Sequence, residues 1–465
     1  MASTYLTRTP TSNGSSTTWT YSVWVKRSAD LGAYQRILSN GNQEGSGSQD
    51  TGIYFLTDDT IRFDIYFGDV GNVGKLDTNR KFRDTNGWYH FVFVWNTSSS
   101  TSSDRMKIYV NGVRETSFAS ATYPSQNASD PNTNSTSYPM RIGTRATSQY
   151  FNGLLSHAHF IDGTAYDATA FGEYDANGVW TIKTDVSVTY GTNGFFILKD
   201  GNSVTDQSGN GNNFTVGGGT LTDTLDCPDN VFATWNPLNY DFANNPSTFA
   251  TGNTQVTPTQ STAYNTGVST LAMPKGNGKF YTEIKYISSG NENGGFGIVD
   301  MDYVNNIYYE NHNLMEEATA TTIGRVLYAK TGAVVTGGGV ETSGFGNTWS
   351  NGDIIGIACD MENGAIYFSK NGTWQNSGDP TSGVSRTGAV NTSAESWWTG
   401  TSQWGLWCGK KVNTTDVSFQ ANFGNGYFGT TAVASAGTNA SGNGIFEYDV
   451  PTGYTALCTK GLNGE

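Results

Sequence analysis

Asn-Gly occurs three times between Asn351 and Trp374, in NGDIIGIACDMENGAIYFSKNGTW, and short apolar runs lie between the pairs. Both residues tolerate the positive φ that a type I′ turn demands, so Asn-Gly between apolar runs is a hairpin signal with a backbone cause. The stretch is expected to form a β-meander. The first half repeats the device: Asn111-Gly112 follows the strand-like Met106 to Val110 as Asn371-Gly372 follows Ala365 to Ser369. Too little else matches between the halves to make a sequence repeat.

A chain of 465 residues exceeds what one core usually supports, which predicts two domains of roughly 200 residues each. Glycine (58 residues) and aromatics (13%) are abundant while charged residues are scarce (14%). That mix suits short strands joined by tight polar turns and suits helix surfaces poorly. The chain is therefore expected to be all-β. In the first half, WTYSVWVKRS, GIYFLTDDTIRFDIYFG, WYHFVFVWNT, RMKIYVNGVRE and LLSHAHFIDG are of strand length, rich in aromatic and β-branched residues, and bounded by turn formers. No helical segment of sufficient length intervenes, so a β-sandwich is expected rather than βαβ units. The text from Thr205 to Pro237 is dense in Gly, Asp and Asn. It marks a boundary near Asp223, giving a first sandwich over 1–222 and a connector plus second sandwich over 223–465. In the second, strands are expected at KFYTEIKYI, GGFGIVD, RVLYAK, DIIGIACD, AIYFSK, WGLWC and VSFQANFG. Long polar loops, Tyr123 to Tyr138 and Gly378 to Ser396, are of a length that is usually functional or mobile.

Lys and Arg number 26 against 40 Asp and Glu, for a net charge of -14 and a pI near 4.7, with no basic cluster. Such a surface repels phosphate, which argues against nucleic acid and anionic lipid as partners. MASTYLTRTPTSNG lacks the apolar core of a signal peptide, and no apolar run is long enough to span a membrane, so synthesis in the cytoplasm as a soluble chain is expected. Cys227, Cys359, Cys408 and Cys458 have no C-x-x-C spacing and suggest neither zinc nor a disulfide framework. Cys359 and Cys408, in apolar strands, are expected to be buried thiols.

Gly352-Asp353-Ile354-Ile355-Gly356, Asp360, Asn363-Gly364, Ile366-Tyr367-Phe368 and Lys370-Asn371-Gly372 together resemble the signature of a SPRY domain, and KFYTEIKY resembles an earlier strand of that family. WTYSVWVKRS, GWYHFVFVWN, MKIYVNGV and YFNGLLSHAHFIDGTAYDATAFGEYD resemble the laminin-G-like, concanavalin-A-like jelly roll. The resemblances imply two β-sandwiches, laminin-G/concanavalin-A-like followed by SPRY-like. Further phrases, FIDGTAYDATAFGE, YGTNGFFILKD, DQSGNGNNFT, CPDNVFATWNPLN and PTGYTALCTKGLN, look like proteins of tailed bacteriophages, especially marine ones. They imply a virion structural protein, tail-fibre-like or an appendage component, with host-surface binding. The resemblance brings no catalytic residues, and these folds host several functions.

Concanavalin-A-like glucanases need acids flanking the sugar, typically as E-x-D-x-x-E or E-x-D-x-E. Glu173-Tyr-Asp175 and Glu447-Tyr-Asp449 lack the third acid, and no G-x-S-x-G, Walker loop or H-E-x-x-H occurs. The chain is expected not to be an enzyme. His157 and His159 would share a strand face as two metal ligands, but the others, His90 and His312, are distant in sequence, and a surface or core role is favoured. Asp58-Asp59, Asp206, Asp300 and Asp302 offer oxygens for calcium, as laminin-G-like domains often do; turn chemistry alone also accounts for them. No cofactor is expected beyond that option. For ligand binding the candidates are Trp397 and Trp398, with Trp374 behind them. In an extended segment adjacent residues face opposite ways, so one indole of Trp397-Trp398 is exposed when the other packs inward, and its flat face suits the C-H surface of a sugar. Alternatively both fill a core edge or a subunit interface.

The expected function is that of a non-enzymatic phage virion protein, located in the particle. It would act in a tail fibre or appendage, touching host-surface glycan or protein and other virion proteins. Homo-oligomerisation, as a trimer, is implied by analogy with phage fibres. The alternatives are a capsid decoration or head-fibre protein with an assembly role, and a polysaccharide-degrading appendage, which lacks its acids.

Overall fold

The computed structural model describes residues 3–29, 31–42, 49–68, 70–199, 203–238, 247–258, 266–288, 294–302, 324–337, 341–393, 395, 398, 403–410 and 417–464. The chain divides into two compact units, one of residues 1–223 with 227–229 and one of 224–226 with 230–465. Each is a sandwich of two sheets. Helix among the described residues is limited to short turns such as Thr459–Asn463.

In the first unit one sheet has eight strands among the described residues, in the order Phe118–Thr122, Gly71–Lys81, Thr60–Phe67, Gln49–Phe55, Gln35–Asn40, Met140–Ile142, Tyr5–Arg8 and Thr215–Gly218. The facing sheet runs Phe195–Ile197, Gly153–Asp162, Thr18–Arg27, Tyr89–Asn96, Met106–Val110 and Val113–Arg114. The period of two explains the core: Trp19, Tyr21, Val23 and Val25 point inward and meet Ile53, Phe55, Ile61, Phe63 and Ile65 from the opposite sheet. Trp19 and Phe63 pack edge to face with centroids 5.4 Å apart, an arrangement worth about 0.5–1.5 kcal/mol beyond the area it buries.

The outer face of the six-stranded sheet is also covered. Val92, Val94 and Ile161 are buried beneath Ala168 and Phe171, with Trp180, Val186, Val188 and Tyr190 packed beside them. A strand covered on both faces loses the polar alternation of a half-exposed one, and nine of the ten residues of Thr18–Arg27 are buried.

The second unit pairs a larger sheet, Ser247–Ala250, Gln255–Pro258, Val417–Asn422, Lys279–Ser288, Ile354–Asp360, Ala365–Lys370 and Thr373–Trp374, with Val390–Asn391 and Thr455–Ala456 attached, against a six-stranded one. The latter runs Thr266–Pro274, Gln403–Lys410, Gly294–Asp300, Arg325–Ala329, Val334–Thr336 and Glu341–Thr342. Between them lie Ile284, Tyr286, Phe296, Ile298, Ile355, Ile357, Trp404 and Leu406. Here too the outer face of one sheet is covered: Tyr281, Ala358, Ala365 and Tyr367 are buried under Phe446, Val450 and Tyr454. Cys359 and Cys408 are buried free thiols, as their strands predict.

Two Asn-Gly pairs make the expected two-residue turn. Asn111 and Gly112 have φ of 47° and 81°, and Asn371 and Gly372 have 48° and 76°. The other two pairs do not. Asp360 accepts from the Asn363 backbone N–H (3.0 Å) and side-chain amide (2.8 Å), and the loop Met361–Gly364 needs positive φ only at Gly364, at 63°. Asn351-Gly352 joins strands of different sheets, with Asn351 accepting from the Ser288 N–H (2.9 Å). The expected meander forms from Ile354 to Trp374, its first hairpin closed by the loop Met361–Gly364 and its second by Asn371-Gly372, while Asn351-Gly352 lies before it; an Asn side chain or a preceding Asp can spend the same dipeptide on a different turn.

Candidate functional site

Trp398 is buried at 6% exposure, with its ring 4.5 Å from that of Trp404 in the core. The Lys275 ammonium lies 5.9 Å from its ring centroid and donates to its carbonyl. The Trp398 N–H donates to the Glu395 carbonyl at 3.0 Å. Trp398 is thus the inward-packing member of the pair, which leaves the exposed role to Trp397, and Trp397 lies outside the described residues.

Trp374 is placed differently. It sits just past the Asn371-Gly372 turn, half-buried, with its ring edge-on to Tyr281 (6.4 Å) and Tyr367 (6.5 Å). It lines a cleft of about 420 Å³ together with Asp379, Pro380, Thr381, Thr438 and Asp449. Each carboxylate is fixed through one oxygen. Asp379 Oδ1 accepts from the Thr381 N–H (2.9 Å) and hydroxyl (2.6 Å), and Asp449 Oδ1 accepts from the Thr438 N–H (2.7 Å) and hydroxyl (2.8 Å). These hydrogen bonds hold both acids below the usual carboxylate range. Neither Oδ2 has a hydrogen-bond partner among the described residues. The walls are tied down: the Tyr454 hydroxyl donates to the Pro380 carbonyl (3.0 Å), and the Val450 N–H to the Thr438 carbonyl (2.8 Å). The cleft can offer an aromatic face and two pre-oriented anionic acceptors.

The covering segment that supplies Asp449 is anchored by a buried acid. Glu283 is fully buried, and its carboxylate accepts from the Tyr281 hydroxyl (3.0 Å) and the backbone N–H groups of Glu447 (2.9 Å) and Tyr448 (2.9 Å). Burial outweighs those donors and pushes its pKa up to about 7.

A second cleft, of about 310 Å³, lies in the first unit and has the opposite charge. Lys107 and Arg114 line it beside Met106, Phe118 and Tyr123. Arg114 is paired with Asp104 at 2.7 Å, whereas Lys107 makes no ion pair among the described residues, and burial and the neighbouring Arg114 lower its pKa.

The remaining candidates are committed elsewhere. The strand Gly153–Asp162 shifts register between Ser156 and His159, with His157 at φ 48°, so the two imidazoles do not form the regular pair expected. His159 is buried, stacked 3.9 Å from Phe196 and hydrogen-bonded to the Tyr190 hydroxyl (2.8 Å). His90 contacts the Ser22 hydroxyl (2.8 Å) and accepts from the Trp180 indole N–H (3.0 Å). His312 lies outside the described residues. Asp59 pairs with Arg27 (3.0 Å) and Arg83 (2.9 Å), Asp58 accepts from Thr60, Asp300 accepts from the Asp302 N–H, and Asp206 accepts from the N–H groups of Phe196, Ser208 and Asn212. Asp175 caps the N–H groups of Asn177 and Val179, and Glu447 accepts from the Ala434 N–H.

A third acidic group lies on the outer face of the eight-stranded sheet. Asp64, pushed up to about 7 by burial, accepts from the Tyr54 hydroxyl (3.1 Å), and Asp50 pairs with Arg36 (2.8 Å) and Arg145 (3.4 Å). The Arg36 guanidinium lies 3.7 Å from the Tyr54 ring centroid and runs across Gly52, where a methyl group would overlap it. Arginine fills the space between these acids.

Asp379, Thr381, Thr438 and Asp449 were not singled out as binding residues from sequence. Asp379-Pro-Thr381 does carry a local signal, the Asx-turn pattern. The pairing of Thr438 with Asp449 across the covering segment carries none.

The fold is thus all-β, with a sandwich of two sheets in each unit. A model of the concanavalin A-like lectin/glucanases superfamily, Laminin_G_3, matches residues 2–170, within the first unit. No curated protein matches the chain. Among solved structures, the SPRY domain of human HERC1 aligns at 15% identity over 36% of this chain and 86% of that one, with a TM-score of 0.26. A heptameric SAP-like pentraxin from Limulus polyphemus aligns at 17% identity over 34% and 70%, with a TM-score of 0.25. Domains LG4-5 of the mouse laminin alpha1 chain align at 9% identity over 98% and 84%, with a TM-score of 0.30. TM-scores and identities this low carry no argument about function.

Proposed function

We propose that the chain is a non-enzymatic binding protein of a tailed-phage particle, a tail-fibre-like or appendage component that holds a host-surface glycan through the loops of its second, SPRY-like sandwich. The observation that carries the binding reading is the Trp374 cleft, an aromatic face beside two carboxylates with free oxygens on hydrogen-bonded walls. Aromatic faces with a few fixed polar groups are the usual make-up of small-ligand sites. The virion assignment rests on the phage-like phrases in the sequence. The non-enzymatic assignment is supported by the missing third acid after Glu173-Tyr-Asp175 and Glu447-Tyr-Asp449 and by the Arg36 side chain between Asp50 and Asp64. Assembly with other virion proteins, as a homotrimer, belongs to the same reading.

Reconstruction of intact particles labelled with an antibody to this chain tests the location: density at the tail or its periphery is expected, and no density in purified particles removes the virion assignment. A second reading, a capsid decoration protein, is favoured by one apolar surface in the first unit. Val113 (60% exposed), Tyr174 (54%) and Val179 (57%) lie on the hairpins that meet at Gly112 and Trp180. Exposed apolar clusters mark assembly surfaces. Label over the capsid lattice would establish that reading in place of the fibre.

A further inference from the structure

We infer that the Trp374 cleft selects a sugar residue bearing a free amine, a hexosamine in its protonated form, over neutral and anionic sugars; this deepens the surface-binding reading and rests on it. Three features point the same way. Both titratable side chains lining the cleft are acids, Asp379 and Asp449, and no Lys, Arg or His is among the lining residues. Each acid is oriented by a threonine through Oδ1, which leaves Oδ2 to receive a donor from the ligand. Of the three threonines lining the cleft, two have their hydroxyls spent on the carboxylates, Thr381 and Thr438, which leaves that of Thr452. The cleft therefore accepts hydrogen bonds and offers few. A sugar ring satisfies it by laying its C-H face on Trp374 and directing an ammonium and hydroxyls at the two acids, and an ammonium near an indole face also gains cation–π attraction.

The opposite charge is disfavoured for the same reasons. A carboxylated or sulfated sugar would face two ionised acids with no cation to offset them, and like charges brought together in a cleft raise the cost. The net charge of -14 adds a long-range field of the same sign. At about 420 Å³ the cleft lies within the range of roughly 300–1,000 Å³ of small-ligand sites and suits a short segment of a chain rather than a polymer face.

The test uses the full chain and three probes at pH 6: a β-1,4 glucosamine oligomer, its N-acetylated counterpart of the same length, and a hexuronate oligomer, each measured by calorimetry at low and high salt. The expected order is amine over N-acetyl by about tenfold or more, since a charge-assisted pair adds more than a neutral one, with no binding of the uronate. The preference should shrink at high ionic strength. Asp379→Asn and Asp449→Asn keep an acceptor oxygen for Thr381 and Thr438, so they preserve the local turns while removing the charge. Each should cut binding of the amine oligomer several-fold more than that of the N-acetyl oligomer, and Trp374→Ala should abolish binding of both with the melting transitions retained. Equal affinity for the amine and N-acetyl oligomers overturns the amine selectivity but leaves a glycan site in the cleft. Binding of the amine oligomer that survives Trp374→Ala and both Asp→Asn changes overturns the site. If no probe binds while the chain still binds host cells, the cleft inference fails and the surface-binding reading stands; if the chain binds no host cells, that reading fails.

Discussion

The two sandwiches close the outer face of one sheet in the same way, and the difference between them lies in what holds the cover down. In each unit a strand ends in Asn-Gly, and the Asn side chain accepts an N–H from the start of the preceding, neighbouring strand: Asn111 from His90 at 2.8 Å, Asn371 from Ile354 at 2.8 Å. In each, the Gly that follows sits beneath an aromatic ring of the covering segment, Trp180 over Gly112 and Tyr448 over Gly372. The first cover is then anchored to a neutral imidazole, the Trp180 indole donating to His90, whereas the second is anchored to a carboxylate, the Glu447 and Tyr448 amides donating to Glu283. One architecture, built twice, is latched by groups whose charge responds oppositely to pH.

Deleting a latch gives the largest effect. Glu283→Ala strands two partly buried backbone N–H groups and the buried Tyr281 hydroxyl, which together cost roughly 3–5 kcal/mol. Calorimetry should show the second unit melting early and the first unchanged; a shift of both transitions would break the separation of the two units.

Matched glycine changes come next. Gly112→Ala and Gly372→Ala each force a methyl group onto a positive-φ residue, costing roughly 1–2 kcal/mol, and into the ring above. Each should destabilise only its own unit, to a similar extent. Unequal losses, or exchange protection of the covers left unchanged, would show that the shared turn is decorative.

The pH responses are smaller and of opposite sign. Burial lowers the His90 pKa to about 3 and that of His159 well below its ordinary value. The folded imidazoles stay neutral while unfolded ones gain protons, so the first cover loses stability as pH falls below 6.5. The Glu283 pKa is raised to about 7, so its folded form takes the proton first, and the second cover loses stability as pH rises from 4.5 through 7. Hydrogen exchange, corrected for intrinsic rates, should show protection of 163–190 declining toward acid and that of 444–458 declining toward neutral pH. Parallel trends would contradict the assignment of the latches.

Most strands were legible because aromatic and β-branched runs bounded by Gly and Asn need only local chemistry. The hairpins at Asn111, Asn363 and Asn371 were legible for the same reason, while the turn type at Asn363 and the place of Asn351 were not, since Asp360 and the Ser288 amide decide them from outside the dipeptide. The covers were not legible. Ala168 and Phe171, or Phe446, Val450 and Tyr454, stand in glycine- and asparagine-rich text without a period, and only the sheet beneath them shows that they are buried. The binding candidates divide along the same line. Trp374 lies beside a readable turn and lines a cleft, whereas Trp398 packs in the core, and its alternation with Trp397 did not say which of the two would do so. Asp449, weighed only as half of a catalytic pair, gains its place from Thr438, an association that no spacing announces.

The most direct measurement of the central claim is adsorption of intact particles to host cells in the presence of excess soluble chain. Wild-type chain should block adsorption in a concentration-dependent way, and Trp374→Ala chain, shown by calorimetry to retain both transitions, should not. Equal blocking by the two chains, or by neither, would contradict a surface-binding role for the Trp374 cleft.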